Sequence, residues 1–395
     1  MKAKTSITNR LPLYIGRRCN QSCKFCYYYT QVKEDNYSFE EITYELIKYK
    51  KNGIESIDIT GGEPTIHKDI IKILKKAVEL GFTNISMISN GIALKNEMFT
   101  TQLIESGVDS FVLSIHGYNS EIHDSLTGRK GAFQDVLKSI EIIKKRNHTY
   151  SINHVINKSN YKTLPKFANL VRKIKGKNTA VTFLVMNPIN DASINYNDYV
   201  VKYTEISPYL IKAIDVLEKH DINSSWKFMP LCINQDKVNC TDSIFTFFIN
   251  PYDWNYNVQL RLNYKKLEYF LALFDNFKKF NYLQLTKIPL EILVHIAMLN
   301  EYFSSVFTKI QSCKKCKFYY VCDGINHSYL QVYGDEEFLP IKGVQIINPL
   351  DLIDKEKSHS FSGILINYLF FYISKVLYKA LLFFSKINTV ICRRK

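Results

Sequence analysis

LPLYIGRRCNQSCKFC, residues 11–26, sets a short apolar run against three closely spaced cysteines. The run 11–16 reads as a β-strand that closes at a glycine. Cys19, Cys23 and Cys26 follow it in a C-x3-C-x2-C spacing. Thiols crowded onto one loop after a strand point to a metal or an iron–sulfur cluster, because a chain with no secretory signal keeps its cysteines reduced. MKAKTSITNR has no apolar stretch behind its basic start, so the chain is expected in the cytoplasm.

The pattern of a strand followed by a marked loop repeats downstream. Residues 39–53 read as a helix ending at Gly53. SIDIT (56–60) reads as a strand followed by GGEP. Residues 68–80 are helical by period, with Ile70, Ile71, Leu74 and Val78 apolar. NISMIS (84–89) is a strand ending in SNG, 97–106 a short helix, and DSFVLSI (109–115) a strand ending in HG. A helix over 131–145, a strand over 150–156, a helix over 160–174 and a strand over 179–186 complete the series. Ser207-Pro208 reads as a further helix start, with proline in the first turn.

About six βα units in this span predict a parallel sheet with right-handed crossovers. They are too few for the usual eight-stranded barrel. The expected fold class is α/β, a partial, TIM-like (β/α)6 barrel, with a doubly wound open sheet second. In either fold the loops at the strands' C-terminal ends build the site, and the cysteines, GGEP, SNG and LSIHG all lie there. Past residue 222 the rhythm breaks, and cysteines return at Cys232, Cys240, Cys313, Cys316 and Cys322. The expected division is a barrel over 1–222, a smaller cysteine domain over 223–345, and a linker and tail over 346–395.

Three thiolates suit a four-iron cubane with one iron left open to a cofactor or substrate. A structural zinc needs a fourth ligand, for which His67 and His116 are candidates. The triplet, with Phe25 before its last cysteine, resembles that of the radical S-adenosylmethionine (radical SAM) enzymes. Gly61-Gly62-Glu63-Pro64 resembles the family's GGEP motif, Ser89-Asn90-Gly91 its T/S-N-G turn, and Ser114 its polar strand end. HDSLTGRKGAF (123–133) resembles the stretch that commonly follows. The likeness covers about residues 10–220. It implies a [4Fe–4S] cluster on Cys19, Cys23 and Cys26 with S-adenosylmethionine at the open iron. The cofactor would be held by Phe25, Gly61, Gly62, Glu63, Pro64, Ser89, Asn90 and Ser114, with Arg129 a candidate for its carboxylate. It implies cleavage of that cofactor to a 5′-deoxyadenosyl radical, fed by a donor such as flavodoxin or ferredoxin.

CKKCKFYYVCDG (313–324), with Cys232 upstream, resembles the twitch and SPASM auxiliary-cluster domains. Position 326 is Asn where the SPASM pattern continues with cysteine, so one auxiliary cluster on Cys232, Cys313, Cys316 and Cys322 is expected. Cys240 could replace Cys232, and a structural zinc has the same C-x2-C knuckle. His295, His327 and His359 read as ordinary histidines, and Trp226 and Trp254 as packing residues.

The net charge of +15 comes without a Lys/Arg run interleaved with aromatics, so nucleic acid is not expected. The tail 361–386 is strongly apolar, with Asn367, Ser374, Lys375, Lys379, Ser385 and Lys386 on one stripe. That pattern suits a helix lying on a membrane surface, with packing on protein or a short span as alternatives. A peptide or protein is the first expected substrate. A small molecule (nucleotide, sugar or cofactor precursor) is the alternative, and a zinc-binding interaction module is the rival from another class.

Overall fold

Strict alternation decides how the sheet is covered. In β4 (Ser110–Ser114), β5 (Thr149–Ile156) and β6 (Ala180–Val185), every second residue is buried and its neighbours are half-exposed. Phe111, Leu113, Tyr150, Ile152, His154, Ile156, Val181, Phe183 and Val185 form the buried set. Period two places the two sets on opposite faces, one packed under helices and one on the concave side. The computed structural model describes residues 8–187, 193–241, 253–263 and 304–348, with 293, 294, 296, 297 and 351.

The sheet has seven parallel strands in chain order. β1 (Arg10–Tyr14), β2 (Ser56–Thr60) and β3 (Asn84–Ser89) precede the three strands above, and β7 (Asn223–Lys227) follows them. The connecting helices are α1 (Phe39–Lys51), α2 (Ile70–Glu79), α3 (Glu97–Glu105), α4 (Ser120–Thr127), α5 (Ala132–Lys145), α6 (Leu164–Ile174), the short α7 (Tyr196–Tyr199) and α8 (Tyr203–Glu218). Ser38 and Glu41 close a capping box that starts α1. In α6, Leu164, Phe167, Ala168 and Val171 recur at helical spacing and are all buried. The fold is thus the expected α/β half-barrel.

Three local expectations differ. The sheet gains β7 beyond residue 222, because NSSWK carries a single large apolar residue, Trp226, which is fully buried. HDSLTGRKGAF contains a separate helix, α4, stopped by Gly128 at φ +68°. α8 starts at Tyr203, with Pro208 inside it rather than in its first turn. Tyr203 stacks on Tyr329 at 3.9 Å, and this tertiary contact extends the helix upstream of the local start signal.

A segment distant in sequence bridges the two edges of the sheet. Asn255 N–H donates to the Arg10 carbonyl at 2.8 Å, and Thr8 Oγ1 to the Asp253 carbonyl at 2.8 Å. Trp254 Nε1 donates to Asp58 Oδ2 at 2.7 Å, while Asp58 also pairs with the buried Arg10. Asp253 forms an ion pair with Lys227 of β7. Trp254 is therefore a hydrogen-bonding link, beyond packing. α9 (Tyr256–Asn263) follows.

In the C-terminal region, β8 (Phe307–Thr308) pairs antiparallel with β9 (Ile325–Asn326), and these strands flank the second cysteine loop. α10 (His327–Tyr333) is capped by the Asn326 side chain. The tail 358–395 lies outside the described residues, as do His295 and His359. Among the described residues, no helix is long and apolar enough to cross a membrane.

Candidate active site

The first cysteine loop leaves β1 and runs against the loop after β2. Gly62 N–H donates to the Gly16 carbonyl and Glu63 N–H to the Arg18 carbonyl, both at 2.9 Å. A Cβ on Gly62 would lie 2.1 Å from the Arg18 carbonyl oxygen, so only glycine allows this approach. Gly61 adopts φ +130°, and Pro64 opens the single turn that carries the chain away. From the other side, Ser22 and Lys24 donate backbone hydrogen bonds to Thr127 and Leu126 at the end of α4. Arg129 sits just beyond, with Nη1 3.4 Å from the Asn20 carbonyl.

Glu63 is the hub of the site. It is buried, and its carboxylate accepts from Thr65 N–H (3.1 Å), Thr65 Oγ1 (2.5 Å), Ser89 Oγ (2.8 Å) and Asn90 N–H (2.7 Å). Three of these bonds fall on Oε1 and one on Oε2, so Oε2 keeps room for a further donor. Burial raises the Glu63 pKa, and the hydrogen bonds oppose the rise. Asn90 then bridges to the cysteine loop, donating from Nδ2 to Asn20 Oδ1 at 2.7 Å. Glu63, Ser89 and Asn90 thus use their side chains to lock three loops together. An ammonium group that approached here would meet a negative, already organised pocket.

The remaining predicted residues take different positions. Phe25 is buried and packs edge-on with His116, ring centroids 4.7 Å apart. His116 in turn neighbours His123 and His154, and burial lowers the pKa of all three, His123 to about 4 and His154 to about 3. His67 has both ring nitrogens engaged, one with the Tyr37 carbonyl and one with Asp69 N–H. Ser114 stays half-exposed at the end of β4, directly opposite Asn153 of β5 in the sheet register. The sequence reading passed over Asn153 and Asn20. The alternation of YSINHVI carried the signal for the first, and nothing local marked the second.

The donor set fits a cluster. Burial, and then the charge of Glu63, push the Cys19 thiol up to about 12. Burial, with Cys26 and Cys19 adding to it, holds the Cys23 thiol well above its ordinary value. Such a pocket favours neutral thiols unless cationic iron offsets the thiolate charge. Tyr28 N–H also points to Cys26 Sγ at 3.3 Å.

The second group gathers Cys232 with the 313–322 loop. The Cys232 thiol is pushed up by burial and then by Cys322, Cys316 and Cys313. The Cys240 thiol, pushed up to about 11, answers to burial and to Glu218, which it meets at 3.4 Å. Cys232 thus feels the charge of the other three, whereas Cys240 answers to Glu218. Among the described residues no three His, Cys, Asp or Glu side chains converge on one point as ligands of a single ion do. The thiolates of a cubane each reach a different iron and stand further apart.

Residues 13–171 match the family model described as the Radical SAM superfamily. A protein of Saccharolobus islandicus (strain M.14.25 / Kamchatka #1) named "Probable GTP 3',8-cyclase" is 29% identical over 197 residues, covering 49% of this chain and 62% of that one. A protein of the same name from Saccharolobus solfataricus is 28% identical over 205 residues, covering 51% and 64%. This chain thus spans under two thirds of those relatives' length. Among solved structures, Streptococcus suis SuiB bound to S-adenosylmethionine aligns at TM-score 0.45 and 21% identity, covering 56% of this chain and 50% of that one. Native anSMEcpe with bound AdoMet and Kp18Cys peptide aligns at TM-score 0.43 and 18% identity, covering 54% and 63%.

Proposed function

We propose, for a chain whose residues 13–171 are a radical SAM domain, an enzyme that removes hydrogen from a small polar substrate inside the half-barrel. The family's cofactors are a [4Fe–4S] cluster and S-adenosylmethionine, and together, when bound and reduced, they supply a 5′-deoxyadenosyl radical. Cys19, Cys23 and Cys26 would hold the cluster at three irons. Glu63, Ser89 and Asn90 keep the GGEP and SNG loops in fixed register with the cysteine loop. The glycine pair lets the GGEP loop pack directly against the backbone of the cysteine loop. Ser114 and Asn153, adjacent on the concave face, are placed to take hydroxyl groups. A fully ligated second cluster would sit on Cys232, Cys313, Cys316 and Cys322, in a twitch-like domain.

The observation that carries the substrate class is the concave face. Ser114, Ser151, Asn153 and Thr182 are half-exposed there on three successive strands. Ser114, Ser151 and Asn153 make no side-chain hydrogen bond to other described residues. Open hydroxyl and amide groups suit a nucleotide- or sugar-like molecule, because a polar site rejects ligands that leave its groups unpaired. The name "Probable GTP 3',8-cyclase" carried by relatives is consistent with that class. The test is anaerobic assay of the reconstituted protein with S-adenosylmethionine, dithionite and deuterated nucleotides and nucleotide sugars, reading 5′-deoxyadenosine and its deuterium content. Deuterium transfer from a nucleotide or sugar is the expected result. Transfer only from a peptide would overturn the small-molecule reading and restore the first expectation from the sequence.

A further inference from the structure

The second cysteine group has a lysine built into its wall. Lys309 follows β8 directly, and its side chain runs past the Cys322–Gly324 turn. A Cβ on Gly324 would touch Lys309 Cγ at 3.4 Å. The ammonium group donates to the Tyr319 carbonyl at 2.5 Å and lies 5.0 Å from the centre of the Tyr319 ring. Tyr319 belongs to the same loop as Cys313, Cys316 and Cys322, so the loop itself holds the cation in place. Burial lowers the Lys309 pKa, while Cys322, Asp323, Cys313 and Cys316 act in the opposite sense. Gly324 N–H adds a second positive feature, 3.4 Å from Cys322 Sγ.

A cluster's reduction potential follows its net charge, the hydrogen bonds to its sulfurs and its exposure. A fixed cation beside it stabilises the reduced form, which carries one more negative charge. We propose that Lys309 is a positioning residue that raises the reduction potential of the cluster held by Cys232, Cys313, Cys316 and Cys322. The role rests on the reading that these four cysteines hold an iron–sulfur cluster. It assigns Lys309 to the cluster's electronics rather than to substrate.

The experiment uses the full chain carrying Cys19→Ala, Cys23→Ala and Cys26→Ala, so that iron reports the second group alone. Iron and acid-labile sulfide are counted after anaerobic reconstitution. The midpoint potential is then read by electron paramagnetic resonance during a dithionite titration. Lys309→Met is expected to shift that potential downward, and Lys309→Arg to leave it close to the parent. If Lys309→Met does not retain its iron, Lys309→Gln is read in the same way. A retained cluster with an unmoved potential in the uncharged variants overturns the role of the lysine. Absence of iron and sulfide from the triple variant overturns the second cluster itself, and the proposal with it.

Discussion

The two cysteine groups are opposites in their surroundings. The first lies against a buried carboxylate, Glu63, and burial raises the Cys19 and Cys23 thiols, with the Glu63 charge adding to the rise. The second lies against a partly buried ammonium, Lys309. The first is locked by side chains from three separate βα loops. The second is held by one short hairpin and a cysteine reached from β7. The two groups of thiols differ in spacing and in the sign of the charge beside them. A carboxylate suits a site that receives a cationic cofactor, and a lysine suits one that stores negative charge.

The sharpest way to break this comparison is to empty one group and ask about the other. Cys19→Ala is expected to reduce cleavage of S-adenosylmethionine to background while the second group's iron remains, read by product chromatography beside an iron count. Cleavage at the parental rate would refute the assignment of the first cluster. Next, Cys232→Ala is expected to lose the second group's iron, whereas Cys240→Ala retains it. Equal iron in both variants would contradict the grouping seen around Cys232.

Glu63→Ala strands four donors in a buried place, at a cost on the order of 3 kcal/mol or more. Thermal melting should show the loss even before iron is added, since the contacts are within the chain. A variant that melts with the parent would mean that the hub is not holding the loops. Asn90→Ala removes the bridge to Asn20 and is expected to cost only about 1 kcal/mol.

The smallest effect concerns acid. His116, His123 and His154 are buried with depressed pKa values, so the unfolded chain binds their protons more readily than the folded one. Their contribution to stability is complete above the ordinary histidine range, near pH 6.5, and drains as pH falls toward about 4. Urea unfolding from about pH 7.5 to 5 should show this slope, and His154→Gln should flatten it. An undiminished slope in that variant would assign the acid sensitivity elsewhere.

Much of this was legible from residue order. The strands SIDIT and NISMIS fall where alternation and turn signals put them. The motif loops also stand together at one end of the sheet, as a parallel α/β fold requires. What escaped was carried by contacts between distant residues. NSSWK has too little apolar character to announce β7, whose burial comes from Trp226 alone. Tyr203 begins α8 early because of Tyr329. Nothing in the sequence around Lys309 marks it; its place after β8 and its bond to the Tyr319 carbonyl bring it to the cysteine loop. The roles of Glu63, Ser89 and Asn90 as fasteners of the loops also needed three dimensions, since each bond joins different βα units.

The segment 253–255 has a consequence for how the chain is made. Thr8 and Asp253 are hydrogen-bonded across 245 positions of sequence. At about 5–20 residues per second, a ribosome needs roughly 12–50 s to deliver the second partner after the first. Until then β1 is an uncovered edge, open to pairing with another nascent strand. The cover over the β1 edge is therefore a late product of synthesis, and slowed translation between β7 and residue 253 should lengthen dependence on chaperones.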